Sequence, residues 1–197
     1  MDAADRFYAK YIEEYLAGDA TARFMADALK MCGVGLMPLV DHCAIRTHDV
    51  GRRALEFLDM GFSYDEKIGT LEYGNWWAKV YRKPGYPALF IDQGFSDYRG
   101  KDSLIPAWVD AFGDEIFHHC AIRVEDIVVA VESMKANGFK FADEIIGGPG
   151  SDLRQIFSKP EIKNGLAFTV LELLERRNGY AGFLPPQADG LMESTRL

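Results

Sequence analysis

The hydrophobic and polar positions of the chain predict the same order of elements twice. Short apolar runs at 39–47 and 117–124 have the length and β-rich composition of buried strands. A stretch with apolar residues at helical spacing follows each of them, and three more strand-like stretches follow that helix. In the first half these stretches are 62–69, 75–83 and 87–93, and in the second half they are 139–146, 152–159 and 166–175. The pattern therefore predicts two βαβββ modules.

The predicted helix of each module has a recognisable start and end. Asp49 and Asp126 stand where an N-cap belongs, because an aspartate carboxylate can accept hydrogen bonds from the free amides of the next turn. Gly61 and Gly138 stand just after the last apolar position, where a helix commonly ends with a positive φ. These signals place both helices at the same point of their modules.

A literal repeat supports the duplication. The pentapeptide His-Cys-Ala-Ile-Arg occurs at 42–46 and again at 119–123, an offset of 77. Further on, 79–84 matches 155–160 at an offset of 76, and 88–92 matches 168–172 at an offset of 80. Colinear matches over about 50 residues indicate two copies of one unit, with small loop insertions between them.

The modules divide the chain into five segments. They are an N-terminal helical lead at 1–37, a first module at 38–95, an inter-module segment at 96–115, a second module at 116–176 and a C-terminal lid or strap at 177–197. A βαβββ unit has a helix on one sheet face only, so two units are expected to pair. The predicted fold class is α+β, with a cupped, mostly antiparallel sheet. In the tail, Gly179, Gly182 and Pro185–Pro186 are expected to break regular structure.

The composition of the chain bears on its binding partners and its location in the cell. The 197 residues carry a net charge of −8 and no long basic stretch, which argues against a nucleic-acid partner. No apolar run reaches the length of a membrane span and no signal peptide is readable, so a membrane location is not expected. The three cysteines are odd in number and lack CxxC spacing, which fits a reducing, cytoplasmic compartment.

Two histidines and two carboxylates recur at equivalent points of the repeat. Side chains alternate along a strand, so His42 and Arg46 share one face, as His119 and Arg123 do, with a small alanine between them. Asp92 and Glu172 interrupt otherwise apolar strands, where a carboxylate is costly to bury unless it is paired, protonated or bound to a cation. Two imidazoles and a carboxylate suit Fe(II), although Mn, Zn and Ni accept similar ligands.

The other polar residues allow more than one interpretation. One of Arg46 and Arg123 could bind an anionic substrate, and the alternative for either arginine is an internal salt bridge, with Asp92 as one candidate partner. His118 is expected to face away from His119, and both His118 and His48 are predicted to be structural. The remaining expectations are a solvent-exposed or salt-bridged Glu175, core positions for the two cysteines of the repeat, and a turn at 147–150.

These motifs resemble the vicinal oxygen chelate superfamily. The second module is similar to the catalytic half of 4-hydroxyphenylpyruvate dioxygenase in its His119-Cys-Ala-Ile-Arg, Gln155-Ile-Phe-Ser-Lys-Pro and Leu171-Glu-Leu-Leu-Glu-Arg motifs, followed by Gly182-Phe183. The first copy, from Val40-Asp41-His42 to Arg46, resembles the 2-oxoadipate dioxygenase/decarboxylase family, where an arginine four after the histidine holds the substrate carboxylate. The resemblance implies His42, His119 and Glu172 as iron ligands, Gln155 as a substrate contact and Phe183 in a closing segment.

The function implied is that of a non-haem Fe(II) dioxygenase acting on a 2-oxo acid, by oxidative decarboxylation with hydroxylation. A small anionic substrate and O2 are the expected partners, and a homodimer is one option for the oligomeric state. Asp92, placed at the fourth ligand position used by isomerases and lyases of the superfamily, keeps a metal-dependent glyoxalase-like lyase or isomerase as an alternative. A non-catalytic small-molecule-binding protein is the other.

Overall fold

The computed structural model describes residues 2–196. The helices are α1 (Ala3–Gly18), α2 (Ala20–Met31), α3 (Val50–Asp59), α4 (Ile105–Phe112), α5 (Ile127–Ala136) and α6 (Pro185–Ser194). The strands are β1 (Val40–Arg46), β2 (Ser63–Tyr64), β3 (Leu71–Glu72), β4 (Trp76–Arg82), β5 (Ala88–Gly94), β6 (His119–Arg123), β7 (Leu153–Phe157), β8 (Ile162–Lys163), β9 (Leu166–Ala167) and β10 (Val170–Arg176). Short 3-10 turns lie at Met37–Leu39 and Tyr98–Asp102.

One eight-stranded sheet organises the molecule. Its strand order is β2-β4-β5-β1-β6-β10-β7, with β3 paired to β4. The two repeat strands, β1 and β6, are antiparallel neighbours at the centre, and each has a parallel partner on its other side, β5 or β10. The remaining pairings are antiparallel. The predicted α+β class, with a mostly antiparallel sheet and N-terminal helices, is confirmed.

The helix signals read from the sequence are present in the structure. The Asp49 carboxylate accepts from the amide of Arg52, and the Asp126 carboxylate accepts from the amides that follow it. Gly61 and Gly138 have φ values of 86° and 88°, a conformation in which a side chain would be strained. The N-terminal helical lead consists of two helices, because Asp19 ends α1 and caps α2.

The two faces of the sheet have different surroundings. Cys43 and Ile45, with Cys120 and Ile122, belong to a large core that includes the buried face of α1. Two tyrosines of α1 anchor this helix, since Tyr8 donates to the carbonyl of Pro87 and Tyr15 to that of Val170. The opposite face of β1 and β6 is therefore not covered by α1, as alternation along the strands predicts.

Two predicted elements differ from the structure. The segment 139–146 is not a strand and makes only isolated bridges, from Phe141 to Ser158 and from Ile146 to Gln155. It leads into the 147–150 segment, which turns as predicted, with positive φ at Gly147 and Gly150. The stretch 62–69 forms only the two-residue strand β2. The sheet therefore has little hydrogen bonding at these two outer positions, 62–69 and 139–146.

The C-terminal segment contains a helix that the sequence analysis did not predict. Pro185 and Pro186 occupy the first turn of α6 rather than breaking regular structure. Proline suits this position, because the first amides of a helix have no partner within it and the ring already has a helical φ. Leu191 and Met192 of α6 are buried. The tail is thus a helical cover rather than an irregular strap.

Candidate metal centre

The register of three adjacent strands brings the candidate ligands together. On β1, β6 and β10, His42, Ala121 and Glu172 lie in one row across the sheet. His119 stands one side-chain step away, opposite Ala44. All of these side chains point to the face opposite the cysteines, and the small methyl group of Ala121 leaves the space between His42 and Glu172 open.

The two histidines and the glutamate form a compact buried group. The distance from Glu172 Oε2 to His42 Nε2 is 3.3 Å, and to His119 Nε2 it is 3.2 Å. One ligand atom from each residue lies within 4.8 Å of the others, and the three residues are buried. Among residues 2–196 this is the group that the geometry identifies as able to hold a metal ion.

The donor set fits a divalent metal. Ligands that bind one ion through bonds of about 2.0–2.2 Å lie roughly 3 Å apart when they are adjacent on it. Both distances from Glu172 to the histidines are close to that separation. Two imidazoles and one carboxylate on a single side are also the set that leaves other positions on the ion free. His42, His119 and Glu172 would hold the ion.

The charges of this group depend on one another. Burial by itself lowers the pKa of His42, but the Glu172 and Asp41 carboxylates outweigh it and raise that pKa to about 9. Burial likewise raises the pKa of Glu172, but the two imidazoles bring it down to about 2. For His119, burial outweighs the glutamate and lowers the pKa. The glutamate is therefore ionised and ready to bind a cation.

A carboxylate and an arginine fix the orientation of His42. Asp41 Oδ1 lies 3.0 Å from His42 Nδ1, and both Asp41 oxygens accept hydrogen bonds of 2.8 Å from Arg176. A ring whose Nδ1–H donates a hydrogen bond to a carboxylate turns Nε2 toward the site, where a metal can displace the Nε2 proton. The pairing register with β6 shifts between Val40 and His42, at Asp41. The sequence analysis missed this role, whose signal is the Asp-His pair within the strand.

We expect Asp41→Asn to lower the affinity for Fe(II) or Co(II) by about 10- to 100-fold, because outer partners of a ligating histidine contribute on this scale. Metal titration followed by calorimetry measures the effect. Asp65→Asn is the matched control, since Asp65 forms an ion pair of similar length with Arg82 elsewhere in the chain. Equal affinities of both variants would contradict the role of Asp41.

His118 differs from the sequence prediction. Its side chain is buried, lines the same pocket as His119, and places its Nδ1 2.9 Å from His119 Nδ1. Strict alternation holds only within a strand, and β6 begins at His119, so the preceding residue is not bound by it. Burial, together with the nearby charges of Arg46 and His119, lowers the pKa of His118 well below its usual value. The neutral ring can accept the Nδ1 proton of His119.

Gln155 and Phe183 also line the pocket. Gln155 Nε2 donates to Glu172 Oε1 at 2.5 Å, so the amide holds the carboxylate whose other oxygen faces the histidines. Phe183 lies edge-on to His42, with ring centroids 5.0 Å apart, and packs on Phe90. Leu191 and Met192 of α6 complete this side of the pocket. The C-terminal segment therefore covers the site. Phe183, for which the resemblance implied a closing role, is part of this cover.

The structure places Asp92 one side-chain step away from the position that the sequence match assigned to it. His119 pairs with Val170 on β10 and His42 pairs with Ala88 on β5, so the residue equivalent to Glu172 is Phe90. Asp92 pairs instead with Arg46, farther along the strand. It is buried and lines the pocket, but it is not in the group that could hold a metal. The expected fourth ligand position is thus occupied by a phenylalanine.

The two arginines of the repeat differ in their burial. Arg46 is 2% exposed and lines the pocket, whereas Arg123 is exposed and lies outside it. Because β1 and β6 run antiparallel, residues four beyond each histidine lie at opposite ends of the pair. Only the Arg46 end is closed, by Trp108 and Met192. Arg123, which was expected to share the substrate-binding role, therefore does not line this pocket.

Other polar residues have structural partners. Glu175 is buried and forms ion pairs with Arg154 and Arg177, as one of the predicted alternatives has it. His48 pairs with Asp110 at the surface. Cys43 and Cys120 lie in the core with their Sγ atoms 3.5 Å apart, and Cys32 is exposed. Within residues 2–196, no helix has both the length and the apolar character that crossing a membrane requires.

No protein-family profile and no curated protein matches the sequence. Solved structures match the fold. A protein from Shewanella frigidimarina, described provisionally as a hydrolase, has a TM-score of 0.77 at 18% identity, over 94% of this chain and 99% of that chain. A mutant of 4-hydroxymandelate synthase from Streptomyces coelicolor has a TM-score of 0.61 at 20% identity, over 82% of this chain. This chain spans 54% of the synthase.

A protein from Ralstonia eutropha, provisionally assigned to the glyoxalase superfamily, has a TM-score of 0.64 at 14% identity, over 87% of this chain and 82% of that chain. At these identities the likeness is one of fold. The mixed α+β architecture of this chain, with its mostly antiparallel sheet, is consistent with a glyoxalase-like fold. The chain therefore has the fold of the vicinal oxygen chelate superfamily, which the repeat motifs resembled.

Proposed function

We propose that the protein is a non-haem Fe(II) dioxygenase that converts a 2-oxo acid with loss of CO2 and hydroxylation. The observation that supports this most is the asymmetry of the site. His42, His119 and Glu172 form a three-ligand set, and Phe90 stands where a fourth ligand would come from the first module. A set of three leaves positions free for a substrate and for O2.

The iron, when bound, supplies electrons for activating O2 and a Lewis acid for the 2-oxo acid. The residues of the chain have separate tasks. Asp41 and His118 hold the two imidazoles with their Nε2 atoms toward the site. Gln155 holds Glu172 and presents its amide to the bound acid. Phe90 and Phe183 exclude water from the space beside the ligands, which limits side reactions.

Arg46 suits the remote carboxylate of the substrate. It lies on the same strand face as His42, four residues away, and is buried in the same pocket. In the described part of the chain it makes no ion pair, since its Nη2 contacts only the Met192 thioether and its Nε has no partner. The charge of Asp92 opposes the effect of burial on the pKa of Arg46, but no hydrogen bond joins the two side chains. A bound carboxylate would supply the hydrogen-bonded counter-charge that a buried guanidinium needs.

A metal-dependent glyoxalase-like lyase or isomerase is the alternative function. That chemistry relies on the metal to polarise the substrate and would take a fourth protein ligand. The register that puts Phe90 opposite Ala44 speaks against it. A non-catalytic binding protein would have no use for three buried ligand side chains with oriented ring nitrogens, so the dioxygenase remains our proposal.

The proposed function predicts oxygen uptake. After anaerobic loading with Fe(II), the protein is expected to consume O2 and release an equal amount of CO2 with a subset of aromatic or dicarboxylic 2-oxo acids. His119→Ala should abolish both signals, whereas His48→Ala, which removes an exposed imidazole, should leave them unchanged. Absence of oxygen uptake with every 2-oxo acid, from protein that binds Fe(II), would refute the proposal.

A further inference from the structure

Arg176 contacts both the surroundings of the metal centre and the C-terminal segment that covers it. It is the last residue of β10, the strand that carries Glu172, and its side chain is only 4% exposed. Its Nε and Nη2 atoms donate to the two carboxylate oxygens of Asp41, each at 2.8 Å. Its Nη1 donates to the carbonyl oxygen of Gly182 at 2.7 Å. Because the guanidinium is planar and rigid, bonds from all three nitrogens hold the two partners in one fixed geometry.

The stretch between β10 and α6 needs contacts of this kind to fix its position. Residues 177–184 form neither helix nor strand, so no regular backbone hydrogen bonding sets their path. The bond from Arg176 to Gly182 therefore helps to place the next residue, Phe183. The guanidinium also lies over the Phe183 ring, with Cζ 5.3 Å from the ring centroid. Arg176 thus positions the aromatic ring that covers the site.

These contacts form a closed circuit that passes through one candidate metal ligand. Asp41 Oδ1 lies 3.0 Å from His42 Nδ1, and the Phe183 ring packs against the same imidazole with centroids 5.0 Å apart. From His42 the circuit runs through Asp41, Arg176 and Gly182 to Phe183, and it returns to His42. The orientation of this imidazole and the position of the C-terminal segment are therefore linked.

A metal ion on His42 Nε2 and closure of the C-terminal segment favour the same arrangement. The metal bond fixes the imidazole in the orientation that meets both Asp41 and Phe183. Opening of the segment removes the Gly182 carbonyl from Arg176, and a guanidinium with fewer fixed partners orients the Asp41 carboxylate less firmly. Because coupling between two sites is reciprocal, closure raises the metal affinity by the same factor by which the metal favours closure.

We infer that Arg176 is a positioning residue that couples metal binding at His42 to closure of the C-terminal segment over the site. The inference rests on the metal centre of the proposed function, and it is independent of the reaction that takes place there. It goes beyond the support that Arg176 gives to Asp41, since it makes the cover of the pocket part of the metal affinity.

The test is amide hydrogen exchange of α6, followed by mass spectrometry in the metal-free and the Co(II)-saturated protein. A helix of ten residues is marginal in water by itself, so its amides exchange when the segment opens. In the unchanged protein we expect Co(II) to slow this exchange by about fivefold or more, a typical size for coupling between sites. In Arg176→Met the slowing should fall below about twofold. The Co(II) affinity of this variant, measured by calorimetry, should fall by about tenfold or more.

A purely structural role of Arg176 gives a different result. If the side chain only held the segment in place, Arg176→Met would speed the exchange equally with and without Co(II), and the slowing factor would not change. Asp41→Asn provides a second variant, which alters the circuit at a residue whose hydrogen bonds go to His42 and Arg176. The slowing factor should fall in Asp41→Asn as well, at saturating Co(II).

Arg154→Met is the matched control. Arg154 is also buried, and it donates to the Glu175 carboxylate and to the Gly147 carbonyl, away from the circuit. This variant should retain the slowing by Co(II).

An unchanged slowing factor in Arg176→Met or Asp41→Asn would overturn the inference, and so would absence of slowing in unchanged protein that binds Co(II). Failure of the unchanged protein to bind both Co(II) and Fe(II) would refute the proposed function as well. Slowing that depends on Arg176, in a protein that takes up no oxygen, would support the inference while refuting the dioxygenase.

Discussion

Replacing Glu172 with glutamine is expected to reduce the affinity for Fe(II) by more than about 100-fold, beyond the usual effect of removing an outer partner of a ligand. The residue supplies the negative charge of the site and lies within 3.3 Å of both imidazole Nε2 atoms. Glutamine keeps the size of the side chain, but it removes the charge. Oxygen uptake should be lost with the metal, while circular dichroism should show a folded protein.

Asp92→Asn is the matched control for this experiment. It also removes a buried carboxylate from the pocket, but from a position outside the three-ligand group. Iron content after gel filtration should therefore stay near one ion per chain in Asp92→Asn and fall to background in Glu172→Gln. Loss of iron from both variants would mean that Asp92 is a fourth ligand, which would favour the lyase or isomerase.

The second large effect is expected at Arg46, with opposite signs for activity and stability. For dicarboxylic 2-oxo acids, Arg46→Met should raise KM by about 30-fold or more, since losing one partner of a buried charge pair costs about 2–5 kcal/mol. At about pH 5, where the raised pKa keeps Asp92 protonated, the metal-free variant should be more stable to unfolding by about 1–3 kcal/mol, because a buried guanidinium without an ionised partner is replaced by an apolar chain of similar length. Met192 and Trp108 offer apolar contacts to the new side chain.

Steady-state oxygen uptake and urea unfolding measure these two changes. Arg123→Met is the matched control, because Arg123 occupies the equivalent point of the repeat but is exposed. It should change neither KM nor the free energy of unfolding appreciably. A lower stability of Arg46→Met would show that Arg46 holds the ligand-free fold together, and an unchanged KM would remove it from substrate binding.

Much of the site follows from local features of the chain. The repeated pentapeptide predicts two equivalent strands. Alternation along each strand then places His42 and His119 on the pocket face and the cysteine that follows each of them on the core face. The aspartate caps and glycine ends of α3 and α5 are likewise local, since each depends on backbone groups within one turn. These predictions hold because a side chain and its own backbone interact regardless of the rest of the fold.

The pairing register of the strands, and the direction in which the two halves pack, could not be predicted from local features of the chain. The match at an offset of 80 put Asp92 level with Glu172, but pairing with β1 and β6 makes the true equivalent Phe90. A slip of one side-chain step keeps the same strand face, so the hydrophobic pattern does not reveal it. The loops before β5 and β10 differ in length, and only the hydrogen bonds to neighbouring strands set where each strand stops.

The sequence by itself determined the duplicated modules, the two histidines that face one another and the acid on the last strand, because these depend on strand alternation and on the repeat. Only the tertiary structure decided which arginine is buried, that His118 joins His119, that Asp41 and Arg176 hold His42, and that α6 covers the pocket. These features arise where segments far apart in the chain meet. Antiparallel packing of two similar halves makes equivalent residues unequal, since one end of the pair is closed by the tail and the other is open to solvent.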